Sequence, residues 1–130
     1  MSNLKKKVKF IIEKTDSGFS GYSKEYPVFT TGKNFTELLA NATEAMNLFF
    51  EDQKTEVTTR DIGFEIDLQQ FFQHYRVINA KFLAQRIGMN ESLLSQYVQG
   101  KKKPSQKQTN KILHGIHEIG KELTNINLFI

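Results

Sequence analysis

Asn90, Glu91, Ser92, Ser95 and Gln96 are short polar residues spaced to share one side of a helix. Amides, hydroxyls and a carboxylate in that arrangement are the donors and acceptors that read base edges in a DNA major groove. Lys81 precedes this set and Lys101, Lys102 and Lys103 follow it, so cations stand ready to hold phosphates beside the groove. Asn90 is also placed to cap the helix it introduces, which restricts its freedom to reach a base. Glu91 repels phosphate; near a helix start it suits the dipole, and it can accept from a cytosine amino group.

The stretch 79–105, NAKFLAQRIGMNESLLSQYVQGKKKPS, positions these residues. It reads as a helix, a tight turn carrying Gly88, a second helix, and a lysine-rich loop closed by Pro104. Ala84 puts a methyl where the two helices cross, and Gly88 supplies the flexible turn. Leu83, Ile87, Met89, Leu94 and Tyr97 fall on the side facing the rest of the domain, leaving the polar set outward. Such helix pairs also occur in small domains that touch no nucleic acid, and charge distinguishes the two cases. From Asn79 to Ile112 the cations Lys81, Arg86, Lys101, Lys102, Lys103, Lys107 and Lys111 face the single acid Glu91. From Met1 to Glu56 eight lysines are matched by eight acids. The net charge of +4 is therefore a local footprint suited to phosphate.

The order of small residue, glycine, apolar pair and a basic G-K-K-K-P-S ending resembles the lambda-repressor-like, or Xre-type, helix-turn-helix family. The resemblance covers roughly Leu68 to Leu123 and implies successive helices at Leu68–Tyr75, Ala80–Ile87, Glu91–Gln99 and Gln106–Leu123. Many members carry a DNA-contacting glutamine where Ala80 stands, and Val98 replaces a frequent glutamate, so operator preference does not transfer.

The chain of 130 residues is 38% hydrophobic with eleven phenylalanines, enough apolar material for two modest cores. It has no cysteine, which excludes a disulfide framework or a thiolate metal site and fits a cytoplasmic location. The opening MSNLKKKVKFII has too short an apolar portion for a signal peptide or a membrane span, so no membrane partner is expected.

The first half alternates. Val8, Phe10 and Ile12 interleave with charged residues at strand period; Asp16-Ser17-Gly18 marks a turn; Phe19–Tyr26 and Val28–Thr31 read as two further strands. Asn34 is expected to cap a helix, with Glu37 reaching back. Phe35, Leu38, Leu39, Ala42, Ala45, Met46, Phe49 and Phe50 then follow as one apolar stripe, suited to packing on the sheet. The segments V-K-F-I-I-E at Val8–Glu13, G-F-S-G-Y-S at Gly18–Ser23 and T-G-K-N-F-T-E-L-L-A-N-A-T-E-A-M at Thr31–Met46 are similar to the amino-terminal domain of HicB antitoxins. That resemblance covers roughly Lys5 to Asp52. It implies a small sheet with one helix, a truncated relative of the ribonuclease H fold, that grips a toxin. Glu25-Tyr26-Pro27-Val28-Phe29 stands in place of the family's D-L-P-G-C. One class of HicB-like antitoxins joins this domain to an Xre-type helix-turn-helix.

Residues 53–59 lack apolar rhythm and read as a connector; Ile62, Phe64 and Ile66 suggest one more strand before Asp67 caps a helix. At the far end Ile126, Leu128 and Ile130 alternate as a terminal strand that pairs with Ile62–Ile66 or with a second subunit, or else frays. Catalysis and metal binding are not expected. The acids Glu13, Asp16, Glu25, Glu37, Glu44, Glu51 and Asp52 form no cluster at strand centres of the kind that two-metal chemistry needs. His114 and His117 share a helix face without enough further ligands.

The expected fold is α+β. A small antiparallel sheet with one helix, truncated ribonuclease H-like and HicB-type, occupies 1–56. A connector and short strand follow at 57–66, an all-α lambda-repressor-like domain at 67–124 and a strand or tail at 125–130. The resemblances imply a non-enzymatic antitoxin that blocks a HicA-like mRNA-cleaving toxin and represses its own operon as a homodimer or higher homo-oligomer, without cofactor. Base-reading falls to Asn90, Glu91, Ser92, Ser95 and Gln96, phosphate contact to Lys81, Lys101, Lys102 and Lys103. Tyr22, Tyr26 and Phe29 are the candidate anchors for the toxin, because aromatics dominate interface hot spots. Two alternatives are a one-component transcriptional regulator whose first domain senses a small molecule, and an inhibitor that keeps the helix pair only for dimerisation.

Overall fold

The computed structural model describes residues 4–129. The chain forms two compact units that divide between Phe71 and Phe72. It is mixed α+β, with a four-stranded sheet and, among the described residues, five α-helices. Among those residues no helix is long and apolar enough to cross a membrane.

In the first unit, strands β1 (Val8–Lys14), β2 (Phe19–Ser23) and β3 (Phe29–Gly32) precede helix α1 (Phe35–Phe49), and β4 (Ile62–Glu65) follows it. The sheet order is β3-β2-β1-β4, with β1–β2 and β2–β3 antiparallel and β4 parallel to β1. The sheet is thus mixed rather than wholly antiparallel, because α1 carries the chain from one edge strand to the other. Alternation in β1 buries Val8, Phe10 and Ile12, while Lys9 and Glu13 stay outside. Leu38, Ala42 and Met46, spaced one helical turn apart, put the fully buried seam of α1 against that face. Phe35 stacks on Phe19 with ring centroids 4.5 Å apart and also meets Phe64 and Phe71. Asn34 Oδ1 accepts from the Glu37 backbone N–H at 2.8 Å, as the cap requires; the Glu37 carboxylate accepts from Lys33 rather than from Asn34 itself.

Three boundaries differ from the sequence reading. Strand β2 stops at Ser23 rather than Tyr26, because Ser23 Oγ accepts from the backbone N–H groups of Glu25 and Tyr26 and turns the chain. Residues 57–66 belong to the first unit: the expected short strand forms as β4, and the stretch before it is held in place rather than left as a connector. Asn47 clamps the buried Val57 through both its backbone groups, at 2.8 and 2.9 Å, and Thr58 and Asp61 form a capping box that leads into β4. The division between units falls within helix α2 (Leu68–His74), whose start is capped by Asp67 and whose Gln70 accepts from the Lys14 backbone N–H.

The second unit holds α3 (Ala80–Ile87), α4 (Glu91–Val98) and α5 (Gln106–Asn125). Gly88 ends α3 in the left-handed region, at φ 69°, where a side chain would be strained. Met89 N–H then returns to Ala84 O at 2.9 Å and Gly88 N–H to Gln85 O, which satisfies the last carbonyls of α3 and sends the chain into α4. Leu83, Ala84, Met89, Leu94, Tyr97 and Ile112 are buried, and Ile87 is half-buried. Midway along α5, Gly115 lies so close to Ile87 that any β-carbon there would overlap its branch methyl. Of the two expectations for the carboxyl end, strand or tail, the described residues form the tail. Helix α5 continues to Asn125, and Ile126–Phe129 follow it as an exposed segment without strand pairing; Ile130 lies outside the described residues.

Gly115→Ala is therefore expected to destabilise the chain by about 1 kcal/mol or more, because overpacking outweighs the helical preference for alanine. Gly120→Ala, on the same helix in open space, is expected to stabilise it by about 0.5–1 kcal/mol. Urea unfolding followed by circular dichroism checks both, and a stabilised Gly115→Ala chain would contradict the close crossing.

Candidate nucleic-acid interface

Helix α4 divides cleanly by face. Leu94 and Tyr97 point into the second unit, at 0% and 5% exposure. Glu91, Ser92 and Gln96 are exposed and Ser95 is half-buried, one turn apart along the opposite side. With Ala80, Lys81, Gln99 and Lys101 they line an open concavity between the start of α3 and the outward side of α4. Four of the five expected base-reading residues thus meet two of the four expected phosphate residues on one surface. Lys102 and Lys103 are exposed on the adjoining loop but do not line this concavity.

The local hydrogen bonds say how free each side chain is. Asn90 Oδ1 accepts from the Leu93 backbone N–H at 3.0 Å, so this residue serves as the cap of α4 and its acceptor is engaged. Glu91 Oε1 accepts from Gln85 Nε2 at 2.6 Å. Ser95 Oγ accepts from Gln99 Nε2 at 3.2 Å. Ser92 and Gln96 present their side chains outward, and the backbone carbonyl of Gln96 accepts from Lys101 N–H at 2.9 Å and Lys102 N–H at 3.3 Å. That last pair ties the lysine loop to the end of α4, with Gly100 at φ 75° making the reversal. Fixed in this way, the loop backbone keeps its cations beside the polar face rather than trailing away from it.

Gln99, which lines this surface, and Gln85, which bonds to Glu91 on it, were not among the sequence candidates. Gln99 carried a usable signal, standing four residues after Ser95 on the same helical face. Gln85 carried none, because its partner Glu91 is reached across the turn rather than along a helix.

In the first unit Tyr22 and Phe29 are 45% and 66% exposed and stand directly opposite each other on β2 and β3. Ile11, half-buried on β1, continues the row beside Tyr22 on the sheet face turned away from α1. Tyr26 does not join them. It is half-buried against Phe49 and Phe50, with ring centroids 5.6 and 5.1 Å away, so its ring belongs to the packing of this unit instead of a free aromatic surface.

Removing the cap of α4 with Asn90→Ala is expected to cost about 1 kcal/mol, and Asn90→Asp to retain the stability, since aspartate caps equally well. Urea midpoints of the two variants test this; equal loss in both would mean that the amide serves something other than the cap. No protein-family model matches this chain, and no curated protein or solved structure matches it.

Proposed function

We propose that this chain is the antitoxin of a type II toxin–antitoxin pair. Its first unit, HicB-like, binds and blocks a HicA-like mRNA-cleaving toxin. Its second, an Xre-type helix-turn-helix, represses the operon that encodes the two. In this reading α4 is the recognition helix, and the protein acts as a homodimer on half-sites about one helical turn apart.

The observation that carries the proposal is the surface of α4. Ser92, Ser95, Gln96 and Glu91 share an exposed face, bordered by Lys81 on α3 and Lys101 on the following loop. Short donors and acceptors on a helix suit base edges, and cations on either side suit the phosphates that position it. The first unit supports the other half of the reading. Helix α1 covers one face of its sheet, and the opposite face offers the cross-strand pair Tyr22–Phe29, the kind of aromatic anchor that a protein partner buries. A dimer is supported by α5, where Ile112, Ile116, Ile119 and Leu123 repeat at intervals of four, three and four. The first is buried, the next two are half-buried, and Leu123 is exposed, which leaves the far end of this seam open to a second helix.

For DNA, the test is binding of the full chain to a duplex taken from upstream of its own reading frame. Ser95→Arg combined with Gln96→Ala is expected to weaken specific binding about tenfold or more while leaving binding to an unrelated duplex in place. Unchanged specific binding in a variant that folds would remove α4 as the recognition helix. For the partner, co-expression with the protein encoded beside this chain is expected to give a co-purifying complex and relief of toxicity. Tyr22→Ala with Phe29→Ala should weaken that complex roughly thirtyfold. If the wild-type chain neither co-purifies with its neighbour nor relieves toxicity, the antitoxin reading is wrong.

A further inference from the structure

Across the turn between α3 and α4, Gln85 Nε2 donates to Glu91 Oε1 at 2.6 Å. Both side chains are exposed, so the bond does not rescue a buried polar group, and a solvated pair of this kind adds little to stability. Its effect is on geometry. A hydrogen bond to a carboxylate is among the stronger neutral–charged contacts, and this one favours the orientation of Glu91 that keeps Oε1 on Gln85.

Glu91 is also in an unexpected place. It is the only acid between Asn79 and Ile112, and it lines the same concavity as Lys81 and Lys101. On a surface that attracts phosphate, a carboxylate subtracts from sequence-independent affinity. It discriminates well, however. In the major groove cytosine offers an amino donor alone, the adenine amino donor stands beside the N7 acceptor, and guanine O6 and thymine O4 are acceptors; a carboxylate is repelled by each of those acceptors. Discrimination of that kind needs the acceptor held at one position. With Oε1 engaged by Gln85, Oε2 is the oxygen left to meet a base.

We propose that Gln85 is a positioning residue for sequence discrimination: it holds Glu91 so that the carboxylate accepts from a cytosine amino group at one position of each operator half-site. The proposal rests on the DNA-binding reading of α4. Within that reading it assigns a specificity role to a residue on the preceding helix that does not itself reach a base.

The experiment is selection of bound sequences from a pool of random duplex DNA by the full-length chain, followed by affinity measurements on single-base variants of the enriched site. Wild type is expected to require cytosine at one position. Gln85→Ala and Gln85→Glu are expected to reduce that preference about fivefold to tenfold at this position alone. Affinity of Gln85→Ala for an unselected duplex should stay within about twofold of wild type, because no phosphate contact is lost. Gln85→Lys, which keeps a donor toward Glu91, is expected to retain the preference. Circular dichroism confirms that each variant folds. If Gln85→Ala and Gln85→Glu enrich the same site as wild type with the same stringency, the positioning role is overturned and the DNA-binding reading stands. A wild-type chain that enriches no sequence overturns both.

Discussion

Helix α5 approaches α3 until no side chain fits between Gly115 and Ile87, and the candidate interface is built outward from that crossing. The approach fixes the depth of α3 in the second unit and buries Leu83 and Ala84 beside it. Gly88 then turns the chain by returning Met89 N–H to Ala84 O, so the direction of α4 is set by a residue that is itself immobilised. Leu94 and Tyr97 lock the inner face of α4, each burial of this size contributing about 1.5–3 kcal/mol. The polar outer face is what remains once those apolar positions are satisfied. A larger residue at Gly115 would therefore disturb the surface of a helix it does not touch.

The two units solve the same problem of one-sided burial differently. In the first, the sheet buries one face under α1 and leaves Tyr22 and Phe29 on the other, an apolar surface within Met1 to Glu56, where eight lysines meet eight acids. In the second, apolar side chains turn inward and the surface carries cations with a single acid from Asn79 to Ile112. Aromatic area and balanced charge favour a protein partner; clustered lysines favour polyanions. The contrast lies in residue chemistry and holds for each unit by itself.

Much of this was legible from sequence because it rests on local rules. Alternation in Val8–Ile12, the caps at Asn34, Asp67 and Asn90, and the glycine after Ile87 are all visible within a few residues, and the turn between α3 and α4 follows from them. What escaped depends on contacts between residues distant along the chain. Val57 looks like part of a polar connector until Asn47, ten residues earlier, is seen to hold both its backbone groups. Gly115 looks like a weak point in a helix, and only Ile87 on another helix gives it a purpose. Tyr26 reads as one aromatic among several on a strand, but the Ser23 turn ends that strand and sends the ring against Phe49 and Phe50. The final residues alternate like a strand, yet α5 absorbs the chain through Asn125 and leaves them without a pairing partner among the described residues.

The central claim, that the lysine-bordered face of α4 binds DNA, is tested most directly by the salt dependence of binding. Each phosphate neutralised by a lysine releases a condensed counterion, so the logarithm of the binding constant falls with the logarithm of salt concentration at a slope of about −0.9 per contact. Anisotropy titrations of the full chain against a labelled duplex over about 50–200 mM KCl cover the useful range. If Lys81, Lys101, Lys102 and Lys103 all meet phosphate, the expected slope is roughly −3 to −4 per bound protomer, and it should shrink by about one with Lys101→Ala. A slope near zero, or one indifferent to removing those lysines, would contradict the claim.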